Sequence, residues 1–206
     1  MKRVAVLEYG MGNVRSMFNA LEKLAAAPTL TADADKLSGF DAIVLPGVGA
    51  FGQGMENLRA RGLDAAIVDC AKAGMPILGV CLGMQMLLET STEFGAHEGL
   101  GLVPGGVEKL APASARLPHI GWNTVLEPHP GRWPGTPLRA YAGEEVYFIH
   151  SFAAVPANAQ HVLAEAEYDG VRFCAAIGRE NIVGMQFHPE KSRAGGLSLL
   201  GAFLEL

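Results

Sequence analysis

The sequence has few cysteines, and their spacing argues against two common kinds of site. Cys70, Cys81 and Cys174 are an odd number at wide intervals. A disulfide framework or a zinc site needs closer and more regular spacing. Four histidines also lack a second ligand at metal-binding spacing, which predicts structural or surface roles for them. They are His97, His119, His129 and His161. No metal site is expected, and at least one thiol is free to react.

The sequence also lacks a cluster of lysines and arginines. Of the 206 residues, 18% are charged, and the formal net charge is -5. Proteins that hold a nucleic-acid backbone need clustered lysines and arginines, so nucleic acid is not expected as a partner. Half of the residues are hydrophobic, which excludes a disordered chain.

Long hydrophobic runs are absent. The first apolar run, Val4 to Leu7, is interrupted by Glu8 and is too short for the core of a signal peptide. No run approaches the roughly 20 apolar residues that cross a bilayer as a helix. We therefore expect no membrane segment and a cytoplasmic location. Gly10-Met11-Gly12 resembles part of a dinucleotide fingerprint, but Asn13 follows and the third glycine is missing, so no cofactor is predicted.

The first half of the chain alternates short apolar runs with helical patterns. Each run is followed by a glycine-containing turn and then by an amphipathic stretch, which predicts parallel strands with helices on the sheet faces. The runs are Val4 to Leu7, Ala42 to Leu45 and Pro76 to Val80. The predicted helices are Val14 to Ala26, Gly52 to Arg61, Leu63 to Ala73 and Met84 to Glu89.

The second half is rich in β-forming residues. Its runs are Ile120 to Leu126, Glu145 to Ala154, Val162 to Tyr168, Val171 to Ile177 and Ile182 to His188. Asp169-Gly170 between two of these runs is a hairpin signal. A last helix is expected from Leu197 to Leu204, and Pro128 to Pro137 is interpreted as a surface loop. The sequence predicts one α/β domain over residues 1-206, with a mostly parallel central sheet flanked by helices and added antiparallel strands in the C-terminal half.

The motif Gly79-Val80-Cys81-Leu82-Gly83 carries the clearest chemical signal. It stands where a buried strand ends and a helix begins, and its glycines permit the tight turn that exposes a nucleophile. The helix start favours a thiolate and offers N–H groups to an oxyanion. The alternative is that Cys81 is simply a small buried apolar residue.

A base and an orienting group stand together in Phe187-His188-Pro189-Glu190. In an extended backbone, His188 and Glu190 project to the same face, so the carboxylate could hold one ring nitrogen while the other faces Cys81. The alternative is a surface histidine near charged residues. Pro46-Gly47-Val48-Gly49 ends a second strand at the same sheet edge, where its peptide could flip toward a ligand or could be an ordinary turn.

These motifs resemble the class I (triad) glutamine amidotransferase family. The resemblance rests on Gly79 to Gln85 and on Gln186 to Ser192, in matching order and separation. It implies that a Cys-His-Glu triad hydrolyses glutamine to glutamate and ammonia. The triad would be Cys81, His188 and Glu190. The oxyanion and glutamine-binding residues would be Gly47, Val48, Gly49, Leu82, Gln85, His150, Ser151 and Phe152.

Four further segments narrow the resemblance to glutaminase subunits that pair with a (β/α)₈ cyclase in histidine biosynthesis. They are Tyr9 to Asn13, Pro46 to Phe51, His119 to Asn123 and Tyr147 to Phe152. This implies a heterodimer in which the cyclase uses the ammonia, with Asn13, Trp122 and Asn123 at the interface. Open alternatives are the glutaminase subunit of pyridoxal phosphate synthase or anthranilate synthase, a cysteine peptidase on a related scaffold, and a non-catalytic binding module of the same fold.

Overall fold

The first half of the chain alternates strands with helices in a computed structural model that describes residues 1–206. Its strands are β1 (Arg3–Leu7), β2 (Ala27–Thr31), β3 (Ala42–Gly47), β4 (Ile77–Cys81), β5 (Leu88–Ser91), β6 (His97–Glu98) and β7 (Val103–Lys109). Its helices are α1 (Val14–Lys23), α2 (Phe51–Arg59), α3 (Leu63–Lys72) and α4 (Leu82–Met86). A 3₁₀ turn, Ala34–Gly39, precedes β3.

The second half consists of strands and one long helix. The strands are β8 (His119–Asn123), β9 (Val146–His150), β10 (Phe152–Pro156), β11 (Val162–Tyr168), β12 (Val171–Arg179) and β13 (Ile182–Met185), and the helix is α5 (Arg193–Leu204). Three further 3₁₀ turns are Pro137–Ala140, Ala159–His161 and Pro189–Lys191. None of the helices combines the length and apolar character needed to cross a membrane.

The central sheet has 11 strands, in the order β2-β1-β3-β4-β13-β12-β10-β7-β5-β6, with β11 paired to β12. Strands β2, β1, β3, β4 and β13 are all parallel. The pairings of β12 with β13, β11 and β10 are antiparallel. Strands β8 and β9 form a separate two-stranded antiparallel ribbon. The predicted fold class is confirmed.

Alternating side chains of the parallel strands supply two hydrophobic clusters. In β1, Val4 and Val6 belong to one cluster while Ala5 and Leu7 belong to the other. Successive residues of a strand point to opposite faces, so a strand covered on both sides reads as a continuous apolar run. Helices α1 and α5 contribute to the first cluster, and α2 and α3 contribute to the second.

Several element predictions were wrong in detail. Helix α1 ends at Lys23, three residues earlier than expected, and Ala25 has a left-handed φ of 56°. Strand β2, which was not predicted, begins at Ala27. Pro28 conceals β2 in the sequence, but a proline is tolerated there because β2 is an edge strand. The expected helix Met84 to Glu89 is the shorter α4, and the residues after it pair with β7.

Other errors concern the second half. The run Glu145 to Ala154 breaks at Ser151 into β9 and β10, which belong to different sheets. The segment Pro128 to Pro137 is not only a surface loop, since Trp133 packs against the first cluster and its Nε1–H donates to the Leu163 carbonyl at 2.8 Å. The Asp169-Gly170 hairpin is confirmed, with both residues at positive φ.

Helix α4 can lie against β3 only because position 83 has no side chain. A Cβ built on Gly83 would lie 1.8 Å from the carbonyl oxygen of Leu45, which is fully buried in β3. We expect Gly83→Ala to lower the free energy of unfolding by about 3 kcal/mol or more, because neither backbone segment can move away. Urea unfolding followed by circular dichroism measures this change.

Gly39→Ala is the matched control. A Cβ at Gly39 meets nothing within 4 Å, and its φ is not left-handed. The free energy of unfolding should change by less than about 1 kcal/mol. Equal stabilities of the two variants would contradict the packing argument.

Candidate active site

Cys81 occupies the sharp turn between β4 and α4 in a strained backbone conformation. Its φ is 54° and its ψ is -109°, and the residue is 6% exposed. A left-handed φ in a residue other than glycine costs on the order of 1–3 kcal/mol. Gly79 and Gly83 hold the turn closed, since a Cβ on Gly79 would lie 2.7 Å from the carbonyl group of Gly83. The predicted elbow is therefore present, although α4 has only five residues and its macrodipole is small.

His188 and Glu190 form a buried pair. His188 Nδ1 and Glu190 Oε1 are 2.8 Å apart, and the two side chains are 3% and 4% exposed. The expected extended geometry was wrong, because Pro189–Lys191 is a 3₁₀ turn that curls the carboxylate back toward the ring. The His188 backbone is fixed on both sides, since its N–H donates to the Tyr147 carbonyl at 2.8 Å and Ser192 Oγ–H donates to its carbonyl at 2.6 Å.

The second ring nitrogen of His188, Nε2, is buried and has no hydrogen-bond partner within the chain. Burial by itself lowers the pKa of His188, but the neighbouring Cys81 sulfur and the Glu190 carboxylate outweigh it and raise the pKa to about 9. The imidazole therefore carries a proton at neutral pH beside the sulfur. Such a pair can supply a thiolate nucleophile and a proton donor together.

The segment after β3 runs beside the sulfur. Gly47 is the register partner of Cys81 across β3 and β4. The amides of Val48 and Gly49 donate no hydrogen bond within the chain, and Gly49 has a φ of +118°. Leu82 is the first residue of α4, so its N–H is not needed for the helix. These three N–H groups are available to an oxyanion beside Cys81.

Tyr9 fixes the segment after β3 through a hydrogen bond. Its hydroxyl donates to the Pro46 carbonyl at 2.7 Å, and its side chain is fully buried. Burial raises the pKa of Tyr9, and the charge of Cys81 adds to the shift, so the phenol stays protonated as a donor. A Cβ on Gly47 would lie 2.4 Å from this hydroxyl. Tyr9 therefore requires a glycine at position 47.

A cavity of about 160 Å³ opens beside Cys81. It is bordered by most of the predicted oxyanion and glutamine-binding residues; Gly47 lies next to it but does not line it. The lining residues are Val48, Gly49, Cys81, Leu82, Gln85, Glu93, Ile149, His150, Ser151 and Phe152.

Glu93 and Ile149 also line the cavity, and neither was predicted from the sequence. Glu93 Oε2 accepts a hydrogen bond from the Phe51 N–H at 2.6 Å, which fixes the carboxylate at the start of α2. The Cys81 sulfur lies 3.7 Å from the Ile149 carbonyl, to which it can donate weakly only as the protonated thiol. Neither residue belongs to a spacing pattern that would have revealed it. A carboxylate in the lining favours a ligand with an ammonium group.

The three predicted interface residues lie in different settings. Asn13 is exposed, and its Oδ1 caps α1 by accepting from Ser16 N–H at 3.4 Å. The side chain of Asn123 makes a hydrogen bond within the chain, since its Nδ2 donates to the Glu167 carbonyl at 2.8 Å. Trp122 is 39% exposed, and the guanidinium of Arg193 lies 4.7 Å from its ring centroid. Of the three, Trp122 offers the largest free apolar surface.

Trp122 also lies near the triad. Its ring meets that of Tyr147 edge-on, with centroids 5.7 Å apart, and the Tyr147 and His188 ring centroids are 6.3 Å apart.

Among the histidines expected to be structural or surface residues, His119 is buried against Phe148 and Tyr168. No group of three possible ligands from His, Cys, Asp and Glu comes together in residues 1–206 to hold a metal ion.

Comparisons with known proteins agree on one family. The model of the family described as "Glutamine amidotransferase class-I" matches residues 5–204. The imidazole glycerol phosphate synthase subunit HisH of Moorella thermoacetica is 44% identical, over 100% of this chain and 96% of that protein. Subunit HisH 1 of Legionella pneumophila strain Lens is 42% identical, over 100% of both chains.

Solved structures share the fold at lower sequence identity. A structure of PurLQS from Thermotoga maritima has a TM-score of 0.76 and 22% identity, covering 100% of this chain and 99% of that one. A crystal structure described as a glutamine amidotransferase has a TM-score of 0.72 and 20% identity, covering 98% and 97% of the two chains. At these identities the likeness concerns the fold alone.

The raised pKa of His188 yields a testable prediction. Because it lies above the ordinary 6.5, protonation of His188 stabilises the fold fully below pH 6.5, and this contribution is lost as pH rises through about 9. Glu190→Gln removes the negative charge that lies beside the His188 ring, so the pKa of His188 should fall by about 1–2 units. Titration of ¹⁵N-labelled histidine rings by NMR measures the shift.

His150 is the internal control for this titration. Burial lowers its pKa to about 4, so its ring should stay neutral at pH 7 in both proteins. If the His188 signals titrate at the same pH in the wild type and in Glu190→Gln, the carboxylate does not hold the proton and the argument fails.

Proposed function

The chain belongs to the class I glutamine amidotransferase family, and from that premise we propose that it is the glutaminase subunit of an imidazole glycerol phosphate synthase. The observation that carries the proposal is the placement of Cys81 beside the buried His188–Glu190 pair, at the edge of a cavity of about 160 Å³. The full-length relatives at 44% and 42% identity support this subunit over those of pyridoxal phosphate or anthranilate synthases.

In the first step, the Cys81 thiolate attacks the side-chain amide carbon of glutamine. The tetrahedral oxyanion accepts hydrogen bonds from the free amides near Val48, Gly49 and Leu82. Protonated His188 gives its proton to the amide nitrogen as the C–N bond breaks, and ammonia leaves. A glutamyl thioester on Cys81 remains.

In the second step, water attacks the thioester carbon. Neutral His188 takes a proton from the water, and Glu190 stabilises the imidazolium that forms. The C–S bond breaks, which releases glutamate and restores the thiolate–imidazolium pair. The Glu93 carboxylate in the cavity suits the ammonium group of the amino-acid substrate, and Gln85 offers a neutral amide to its polar groups.

The ammonia is used by a second chain. By family resemblance this partner is a (β/α)₈ cyclase that makes imidazole glycerol phosphate in histidine biosynthesis, and the two chains form a heterodimer. We place Trp122, Asn13 and Asn123 at the interface; the exposed Trp122 ring near Tyr147 and His188 supports this assignment. We further propose that residues 1–206 act as one amidotransferase domain, since both hydrophobic clusters pack on one sheet. We propose a cytoplasmic location because the relatives are subunits of a biosynthetic enzyme.

Glutamate release measured with and without a candidate cyclase barrel and its nucleotide ligand tests this function. We propose that partner binding turns the peptide after Gly47 so that its free N–H groups face the substrate, and the isolated chain should therefore release glutamate slowly. Since a missing oxyanion donor costs about 10²- to 10³-fold, the partner should stimulate the rate by that order. Cys81→Ala should abolish release in both conditions. A stimulated rate that survives in Cys81→Ala would refute the assigned nucleophile.

The interface assignment is tested by truncating its aromatic residue. We expect Trp122→Ala to weaken binding of the cyclase barrel about tenfold or more, because large aromatic side chains often dominate interface energy. Isothermal titration calorimetry gives the dissociation constant. Val155→Ala removes another exposed apolar side chain, on β10, and should leave affinity unchanged. Equal affinities of wild type and Trp122→Ala would remove Trp122 from the interface.

A further inference from the structure

A buried chain of hydrogen bonds connects the Cys81 sulfur with the far wall of the cavity. Gln186 Nε2 donates to Cys81 Sγ at 3.7 Å, and Gln186 Oε1 accepts from Gln85 Nε2 at 3.0 Å. Gln85 Nε2 also donates to the Phe152 carbonyl, at 2.9 Å. Gln186 thus joins the nucleophile to a residue that lines the cavity. None of the catalytic steps described above uses it.

Two histidines hold the other end of this chain. His150 Nδ1 lies 2.9 Å from the Phe152 carbonyl, which can only accept, so Nδ1 carries the proton. His150 Nε2 must then accept from His119 Nδ1, 3.2 Å away. Burial lowers the pKa of both rings, in keeping with two neutral imidazoles in this arrangement. The Phe152 carbonyl therefore has two fixed donors, Gln85 and His150.

Counting donors fixes the orientation of both glutamine amides. The two N–H bonds of Gln85 Nε2 are used by Gln186 and Phe152, so only Oε1 remains for a ligand. The opposite orientation of Gln186 would place its oxygen against the sulfur and its N–H groups against those of Gln85. Gln186 is fully buried, and an unpaired amide there would lower the folding equilibrium constant by about tenfold or more, so the observed orientation is strongly preferred.

The backbone places Gln186 at the sulfur independently of its side chain. Gln186 directly follows β13, whose last residue Met185 is the register partner of Val80 in β4. The Gln186 N–H donates to the Ala175 carbonyl at 2.9 Å. A substitution at position 186 therefore leaves the strand pairing in place and changes only what faces the sulfur and Gln85.

We propose that Gln186 is a positioning residue for the glutaminase reaction, one that holds the Cys81 sulfur through an N–H bond and sets the Gln85 amide with its oxygen toward the substrate. A thiolate accepts a hydrogen bond more strongly than a thiol does, so the bond favours the reactive form. The statement about Gln85 rests on the proposed function. The statement about the sulfur does not, because thiol reactivity can be measured without glutamine.

Gln186→Met tests the sulfur contact, since methionine has a similar length and no N–H. Alkylation of Cys81 by iodoacetamide at pH 7.5, followed by peptide mass spectrometry, should be about tenfold slower than in the wild type. Gln160→Met is the matched control at an exposed glutamine whose side chain makes no hydrogen bond, and it should alkylate at the wild-type rate. Thermal unfolding of each variant verifies that it is folded.

Gln186→Glu separates the two contacts. The carboxylate can still accept from Gln85 but offers the sulfur a negative charge in place of an N–H. In the complex with the cyclase, we expect Gln186→Met to lower kcat and raise KM for glutamine, each about tenfold, and Gln186→Glu to lower kcat with a KM within about threefold of the wild type. A role in packing alone would not produce this split between the two variants.

Each part of the proposal has an outcome that overturns it. If Cys81 is alkylated at the wild-type rate in both Gln186→Met and Gln186→Glu, Gln186 does not act on the sulfur. An unchanged KM in Gln186→Met would show that it does not set Gln85. Failure of the proposed function looks different, because the wild-type complex itself would then release no glutamate while the alkylation rates still differ.

Discussion

The site depends on the close approach of α4 to β3 and β4, which keeps Cys81 in a backbone conformation that it would otherwise leave. Three backbone segments meet where Gly79 and Gly83 have no side chains, and the Leu45 carbonyl fills the space that a Cβ at position 83 would need. The strain at Cys81, on the order of 1–3 kcal/mol, is held by burial on both faces of the sheet. Without this contact the sulfur would have no fixed direction, and the neighbouring amides would have no fixed target.

Parallel pairing of β13 with β4 supplies the remaining groups. Met185 pairs with Val80, so the residues that follow each strand emerge together at one sheet edge. Gln186 and His188 approach the sulfur from there, and the 3₁₀ turn after His188 brings Glu190 to its ring. Helix α5 packs directly behind this segment. The order of the strands therefore joins a cysteine from the first half of the chain to a base from its last quarter.

Local patterns could predict much of the fold and the reactive groups. Each of the runs at β1, β3 and β4 is a short stretch of the sequence. The glycines lie within two residues of Cys81, and Glu190 lies two residues after His188. Features that depend on distant pairing could not be predicted in this way. Strand β2 is stable only as an edge of the finished sheet, and the break at Ser151 arises because β9 and β10 pair with different partners. Glu93 joins the site through a contact with Phe51, far away in sequence, so no spacing pattern indicates it. Gln186 belongs to the motif that carries the resemblance, but its contact with Cys81, 105 residues away, could not be read from that motif.

The β8–β9 ribbon stands apart from the main sheet and contributes to two regions at once. Trp122 lies on one strand, while Ile149 and His150 at the end of the other line the cavity, and the register couples Trp122 to Tyr147. The ribbon is thus one structural unit, with one end at the outer surface and the other at the cavity. An insertion or a register slip in either strand would displace both ends together, so a change of strand length in one region is restrained by the other.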